Sequence, residues 1–315
     1  VSKSTLLHLL CALVVISFSK PSSAQKNLEG DISISGAFAL YPMTVKWADE
    51  FIKIHPGVRI DISAGGAGKG IADALNDMVD IGMVSRDLYN EELNKGAYTI
   101  SVTKDAVVAI ISNSNPLLNR LLIKGLTRDA ANNLWITGNY KTWSQAFGLK
   151  TTLPIHIYSR SDACGAAEMW AKYLGKKQED LLGVGVFGDP GLAQAVKRDA
   201  LGIGFNNIAY VYDAVTKKQI TGIRVLPLDL NSNGKIDPDE KFYDSINELI
   251  DAIASNKYPS PPSRELYFVT KGVPKRSVII EFIKWILTDG QKFVHDAGYI
   301  SLPKEKIDSE LKKLI

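Results

Sequence analysis

The chain has 315 residues, 45% of them hydrophobic, with 37 Lys and Arg against 34 Asp and Glu and a formal charge of +3 at pH 7. Such a near-neutral balance argues against a polyanion-coating surface, and nothing in it points to nucleic acid as a partner. The two cysteines, Cys11 and Cys164, are too few for a disulfide framework, so the core must hold itself by apolar packing.

The first residues read as a signal peptide. Lys3 gives a basic start, residues 6–18 are mostly apolar, and Ser22, Ser23 and Ala24 offer a small-residue cleavage site after Ala24. Cys11 lies inside the apolar stretch with no lipid-anchor triplet before it. A periplasmic or secreted product is expected. Removing Lys3 and Lys20 with residues 1–24 leaves 35 basic against 34 acidic residues, a net of +1. The remaining 291 residues are long for a single core, which suggests two domains.

In chain order, DISIS at 31–35 alternates like a strand, Gly36 breaks it, and Pro42 opens a helix carrying Val45, Trp47, Ala48, Phe51 and Ile52. VRIDIS from Val58 is a second strand, followed by the small-residue run 64–70 and a short helix. VDIGMVSR, 79–86, gives a third strand and a turn. Strand–helix alternation at this pace indicates parallel-sheet α/β architecture, whose ligands bind beyond the carboxyl ends of strands. DAVVAIIS at 105–112 is a first passage between domains. Residues 117–150 read as helical. PIHIYS leads into YSRSDACGAA and a helix from about Glu168. SINELIDAIASNKY is amphipathic, PSPPSR is stiff, and ELYFVTKG is the second passage. The expected organisation is 25–112 plus 265–315 as one lobe and 113–264 as the other, joined by a hinge.

The turns after these strands form a candidate oxyanion site. GAFALYP offers helix-start N–H groups near Ala39, Leu40 and Tyr41; an ordinary strand–helix connection is the plainer alternative. GGAGKG, with Ala67 and Lys69, superficially matches a nucleotide loop, but Ser63 and Gly70 break that pattern. Asp80 begins an apolar strand, where it either caps a turn or accepts the proton of a protonated anion. Arg86 is either a solvated rim residue or paired with an acid. Arg160 is suited to grip a tetrahedral oxyanion bidentately, against the alternative of a surface ion pair. Asp162 either orients Arg160 or caps the helix. Cys164, at a helix start near arginine, is expected to have a lowered pKa, yet no convincing base accompanies it, so no enzyme is expected.

These motifs, in this order, resemble the periplasmic phosphate-binding proteins of ABC importers, the PstS family. GAFALYP, GGAGKGI, VDIGMVSR, YSRSDACGAAEMW, YPSPPSRELYFVTKG and WILTDGQKFVHDAGYISLP together cover essentially all of the chain after residue 24. The resemblance implies a two-lobed, type II-like periplasmic binding fold with two crossing segments. It implies inorganic phosphate or a similar oxyanion in the cleft, delivery to a membrane ABC permease, and a monomer without cofactor. By motif position Leu40 stands where Thr is common, Ala67 where a serine belongs, Cys164 for Ser and Ala166 for Thr, while Arg160, Gly165 and Asp80 stay. Each lost hydroxyl contact to a charged ligand removes about 1.5–3 kcal/mol. The resemblance therefore implies a weakened or altered site, or, as alternatives, a binder of another tetrahedral oxyanion or a fold-retaining extracellular interaction protein.

DLNSNGKIDPDE, 229–240, fits a calcium loop. Asp229, Asn231, Asn233, the Lys235 carbonyl, Asp237 and Glu240 take the ligand positions and Gly234 the sharp turn. A structural Ca2+ there is expected, with a solvated Asx-rich turn as the alternative.

Overall fold

The computed structural model describes residues 28–314; the segment read from sequence as a signal peptide, with Cys11, lies outside the described residues. The chain begins with strand β1 (Glu29–Gly36), helix α1 (Tyr41–Ile54), β2 (Gly57–Ala64), α2 (Ala67–Leu75), β3 (Ile81–Val84), α3 (Asn90–Asn94) and the long β4 (Ala97–Ser112). The middle holds α4 (Leu118–Lys124), β5 (Leu126–Thr127), α5 (Arg128–Trp135), α6 (Trp143–Phe147), β6 (His156–Arg160), α7 (Gly165–Tyr173), β7 (Val184–Val186), α8 (Gly188–Arg198), β8 (Gly202–Asn207), β9 (Ile223–Val225), β10 (Leu228–Asp229) and α9 (Ile246–Ala254). It closes with β11 (Ser263–Lys271), α10 (Ser277–Leu287) and α11 (Lys304–Lys312).

The main sheet runs β2-β1-β3-β11-β4-β8-β6-β7, with β9 also on β4. β1 pairs in parallel with β2 and β3, and β6 in parallel with β8 and β7, which fits the strand–helix alternation of both regions. β4 and β11 are the crossing segments. β4 pairs antiparallel with β11 over residues 97–106, then with β8 over 107–111.

Two apolar clusters flank the crossing. One gathers Ile34, Trp47, Phe51, Phe268 and Phe282; the other gathers Trp135, Trp143, Trp170, Phe205 and Leu249. Residues 106–111, which the sequence grouped with the terminal segments, pack in the second cluster. Their strand simply continues across the boundary: Asn113 and Pro116 end β4, but the change of packing partner comes some seven residues earlier.

Glycines seat α2 against the sheet. A Cβ on Gly36 (φ +132°) would lie 2.3 Å from the Met83 carbonyl oxygen and 2.8 Å from Gly70 Cα. One on Gly70 would lie 2.7 Å from the same oxygen. Backbone meets backbone here, so the glycine spacing serves helix–strand contact as much as any ligand.

Candidate oxyanion site between the lobes

Every turn that the sequence marked, apart from the start of β3, meets the others at one place. Arg160 ends β6 with its side chain 1% exposed. Its Nε and Nη2 donate to the Asp162 carboxylate at 2.8 and 2.6 Å. Asp162 thus orients Arg160, and its carboxylate also accepts the Gly188 amide at 3.1 Å. The Arg160 guanidinium lies 5.9 Å from the Phe38 ring, so the first turn faces the arginine from the other lobe. The second turn closes in as well: Gly68 N–H donates to the Ala163 carbonyl at 3.2 Å. A Cβ on Gly66 would stand 3.1 Å from Asp162 Oδ2. Burial works against the charge on Arg160, but Asp189 and Asp162 raise its pKa further above the usual arginine value.

Backbone donors complete the site. α7 begins at Gly165, three residues before the expected start, so Cys164 is its N-cap. The Cys164 amide is held by Gln178 Oε1 at 3.1 Å and the Ala167 amide by Cys164 Sγ at 3.5 Å. The amides of Gly165 and Ala166 remain in the open first turn of the helix. In the first turn the Ala37 carbonyl already accepts both Leu40 and Tyr41 amides, at 3.1 and 3.2 Å. The two amides proposed from sequence as free donors are therefore occupied by the turn itself, which leaves Ala39. Tyr299 Oη fixes that turn by donating to the Ala39 carbonyl at 2.8 Å, and Tyr210 Oη to the Phe38 carbonyl at 2.9 Å. Ala67 begins α2 and is fully buried. Ser85 Oγ lies 2.3 Å from where a Gly165 Cβ would stand, so a serine hydroxyl does reach the site, from the end of β3.

Three further sequence expectations are overturned. Asp80 sits at the start of β3, the far edge of the sheet. There it accepts Ser33 N–H and Oγ–H at 2.9 and 3.0 Å and pairs with Arg276 at 2.5 Å. In parallel sheets the ligand edge is the carboxyl end of the strands, and Asp80 lies at the amino end. Lys69 turns to Asp73, its i+4 neighbour, instead of the cleft. Cys164 has its pKa pushed up, not down: burial drives it to about 12 against the pull of Arg160. A neutral buried thiol makes a poor nucleophile. Iodoacetamide at about pH 8 will leave Cys164 unmodified in the folded protein and label it fully in denaturant. Fast stoichiometric labelling of the native chain would contradict this placement. Arg86 resolves to an ion pair, bidentate on Glu92 at 2.7 and 2.9 Å, with its guanidinium 4.0 Å from the Tyr89 ring.

The sequence reading missed a buried polar chain that reaches Arg160. Asp189, on α8, lies 2.9 Å from Arg160 Nη1. Its other oxygen accepts from Asn207 Nδ2 at 2.5 Å. Arg264 donates to Asn207 Oδ1 and reaches Asp105 at 3.0 Å and the Gly165 carbonyl at 3.4 Å. Burial pushes Asp105 up to about 7, against the pull of Arg264 and with the push of Asp189. One signal was available: Asp105 opens an apolar run, where a carboxylate needs a partner.

In the loop 229–240, Asp229 Oδ2 accepts the Gly234 amide at 2.8 Å, and Glu240 accepts those of Leu230 and Asp237 at 2.8 and 3.0 Å. Asn231 and Asn233 turn their NH2 groups onto Asp237, which also pairs with Lys235 Nζ at 2.9 Å. The carboxylates therefore face N–H groups and not each other. Among the described residues no cluster of three or more His, Cys, Asp or Glu is set to hold a metal ion.

A profile of the PBP superfamily domain matches residues 21–290. The chain belongs to the PBP superfamily. It is PstS-like along nearly its whole length. It is similar to the phosphate-binding protein PstS of Methanocaldococcus jannaschii, 25% identical over 91% of this chain and 86% of that one. It is similar also to the protein SphX of Synechococcus elongatus, 24% identical over 90% and 80%. Among solved structures, a Clostridium perfringens substrate-binding protein with bound phosphate superposes with a TM-score of 0.70 at 24% identity, over 87% of this chain and all of that one. An ABC-type phosphate transport receptor of Vibrio cholerae gives 0.62 at 20% identity, over 86% and 100%. Both likenesses place this PBP superfamily member in the two-lobed binding fold.

Proposed function

We propose that this protein is an extracytoplasmic receptor that captures phosphate or a phosphate-like oxyanion between its lobes and delivers it to a membrane ABC permease. The observation that carries the reading is Arg160, buried and oriented by Asp162, beside the open helix starts at Gly165–Ala166 and Ala67. A guanidinium and free backbone amides converging in a closable cleft are what a tetrahedral oxyanion requires. The site residues are Ala39, Ala67, Ser85, Arg160, Gly165 and Ala166. The lobes are residues 28–105 with 263–314, and 106–262, hinged on β4 and β11. The raised pKa of the buried Cys164 thiol speaks against a thiol-nucleophile role for that residue. The names of relatives, phosphate-binding proteins and an ABC transporter substrate-binding protein among them, support phosphate and a permease partner, and the basic start and apolar run of residues 1–24 support an extracytoplasmic setting. Calorimetry on ligand-stripped protein with phosphate, arsenate, sulfate and molybdate tests the reading. Heat and saturation with phosphate are expected, and no heat with any of the four rejects it.

A calcium ion in the loop 229–240 is a separate proposal, supported by the order of its oxygen-bearing residues and by the buried Asp229 and Glu240. Loading would require the Asn231 and Asn233 amides to release Asp237. After chelator treatment, added calcium should raise the melting temperature by a few degrees, on the order of 1 kcal/mol. An unchanged melting curve at millimolar calcium would remove the ion from the account.

A further inference from the structure

Arg160 spends one edge of its guanidinium on Asp162, through Nε and Nη2. Three N–H groups remain beyond those two bonds, two on Nη1 and one on Nη2. Nη1 is buried and has no well-aligned hydrogen-bond partner, yet Asp189 Oδ2 stands 2.9 Å from it. Asp189 is itself 2% exposed at its side chain and cannot swing into solvent. Asn207 grips its other oxygen from β8, and the Asn206 side-chain amide holds its carbonyl at 2.9 Å. The turn before it is equally fixed: Gly188 has φ +72°, and a Cβ there would lie 3.1 Å from the Phe38 ring. Two buried carboxylates, Asp162 and Asp189, therefore face the single guanidinium of Arg160 before any ligand arrives.

We propose that Asp189 is a specificity-determining residue that competes with the oxyanion for the free end of Arg160 and so sets a low affinity for doubly charged tetrahedral anions. The proposal rests on the oxyanion reading above and deepens it. An anion bound at the free end of the guanidinium shares it with a carboxylate fixed in contact distance of Nη1, and two anions there repel in a site with little water to screen them. The missing hydroxyls at Leu40, Ala67 and Ala166 act in the same direction, but Asp189 acts through charge and can be removed without loss of shape.

Titration calorimetry with inorganic phosphate on the full chain, wild type beside Asp189→Asn, tests this. Asparagine keeps the size and can still accept from Asn207. Asp189→Asn should bind phosphate roughly ten-fold or more tighter, the effect of deleting one nearby like charge. Asp162→Asn, which loosens the arginine instead, should bind more weakly. Far-UV circular dichroism and melting curves check that each variant is folded, and Asp189→Ser provides a second charge-free version should Asp189→Asn not fold. Wild type silent and Asp189→Asn binding would support the proposal while rejecting the oxyanion reading for the natural chain. Wild type binding, with neither charge-free variant any tighter, would overturn the proposal and leave that reading standing. No binding by any folded form would overturn both.

Discussion

Arg264→Ala lowers the stability of the folded chain by about 3–5 kcal/mol, the usual cost of stripping one partner from a buried ion pair. Arg264 and Asp105 are 4% and 0% exposed at their side chains, and they sit on adjacent positions of the two crossing strands. Removing the guanidinium leaves Asp105 uncompensated and also frees Asn207 and the Gly165 carbonyl. Urea titration at about pH 8 measures the loss. The sign of its pH dependence follows from proton linkage. Asp105 holds its proton up to about 7 in the folded chain, whereas an exposed aspartate loses it near 4. Between those values the folded state binds more protons than the unfolded one, so this residue's contribution declines as pH rises through the window. Without Arg264 the folded pKa rises further, so the deficit should be smaller at about pH 5.5 than at about pH 8. Adding Asp105→Asn should recover more than half of it. A double variant as unstable as the single one would place the loss elsewhere.

Gly165→Ala should lower oxyanion affinity by at least ~100-fold, equivalent to one or two charge-assisted hydrogen bonds, while leaving the apolar core of each lobe intact. A Cβ at 165 would fall 2.0 Å from the Ser85 carbonyl oxygen. That oxygen is backbone at the end of β3, so no rotamer change relieves the clash. α7 and β3 belong to opposite sides of the cleft, and the two lobes must separate to admit the methyl group. Arg160 and the α7 amides then lose register with the turns at Ala39 and Ala67. The expected result is a near-wild-type melting curve with weak or no calorimetric saturation, and a larger radius of gyration by solution scattering in the presence of phosphate. An affinity equal to wild type would show that closure at this contact does not matter. Ser85→Ala should not rescue the variant, because the obstructing atom is the carbonyl.

These two experiments probe different parts of one arrangement. Arg264 ties the crossing strands to the floor of the site, and Gly165 lets the far wall approach. Between them lies the chain from Asp105 through Arg264, Asn207 and Asp189 to Arg160, so a change at the crossing reaches the guanidinium through four buried contacts.

Much of the fold was legible because it is encoded locally. Alternation in DISIS, proline at position 42 and the apolar run before Asn113 specify strand, helix and strand without reference to distant residues. The turns at Gly36–Ala39, Gly65–Gly70 and Arg160–Ala166 were equally visible as turns, since each is short and stands at a strand end. Asp162 lies two residues from the arginine it orients, so that pair too was within reach of sequence alone. What the sequence left open were choices made across long separations. Asp80 and Asp189 are both acids beside regular elements, and nothing local distinguishes them. The sheet places one at its far edge with Arg276 and brings the other against Arg160. Lys69 had two possible partners, a ligand or Asp73, and the pitch of α2 decides for the carboxylate four residues on. Cys164 illustrates the same division: helix position and a nearby arginine argue for a low pKa, but complete burial outweighs both. Local backbone preference acts through neighbouring residues and is written in the sequence. Desolvation and the pairing of buried charges depend on which distant segments are packed together, and only the folded chain decides that.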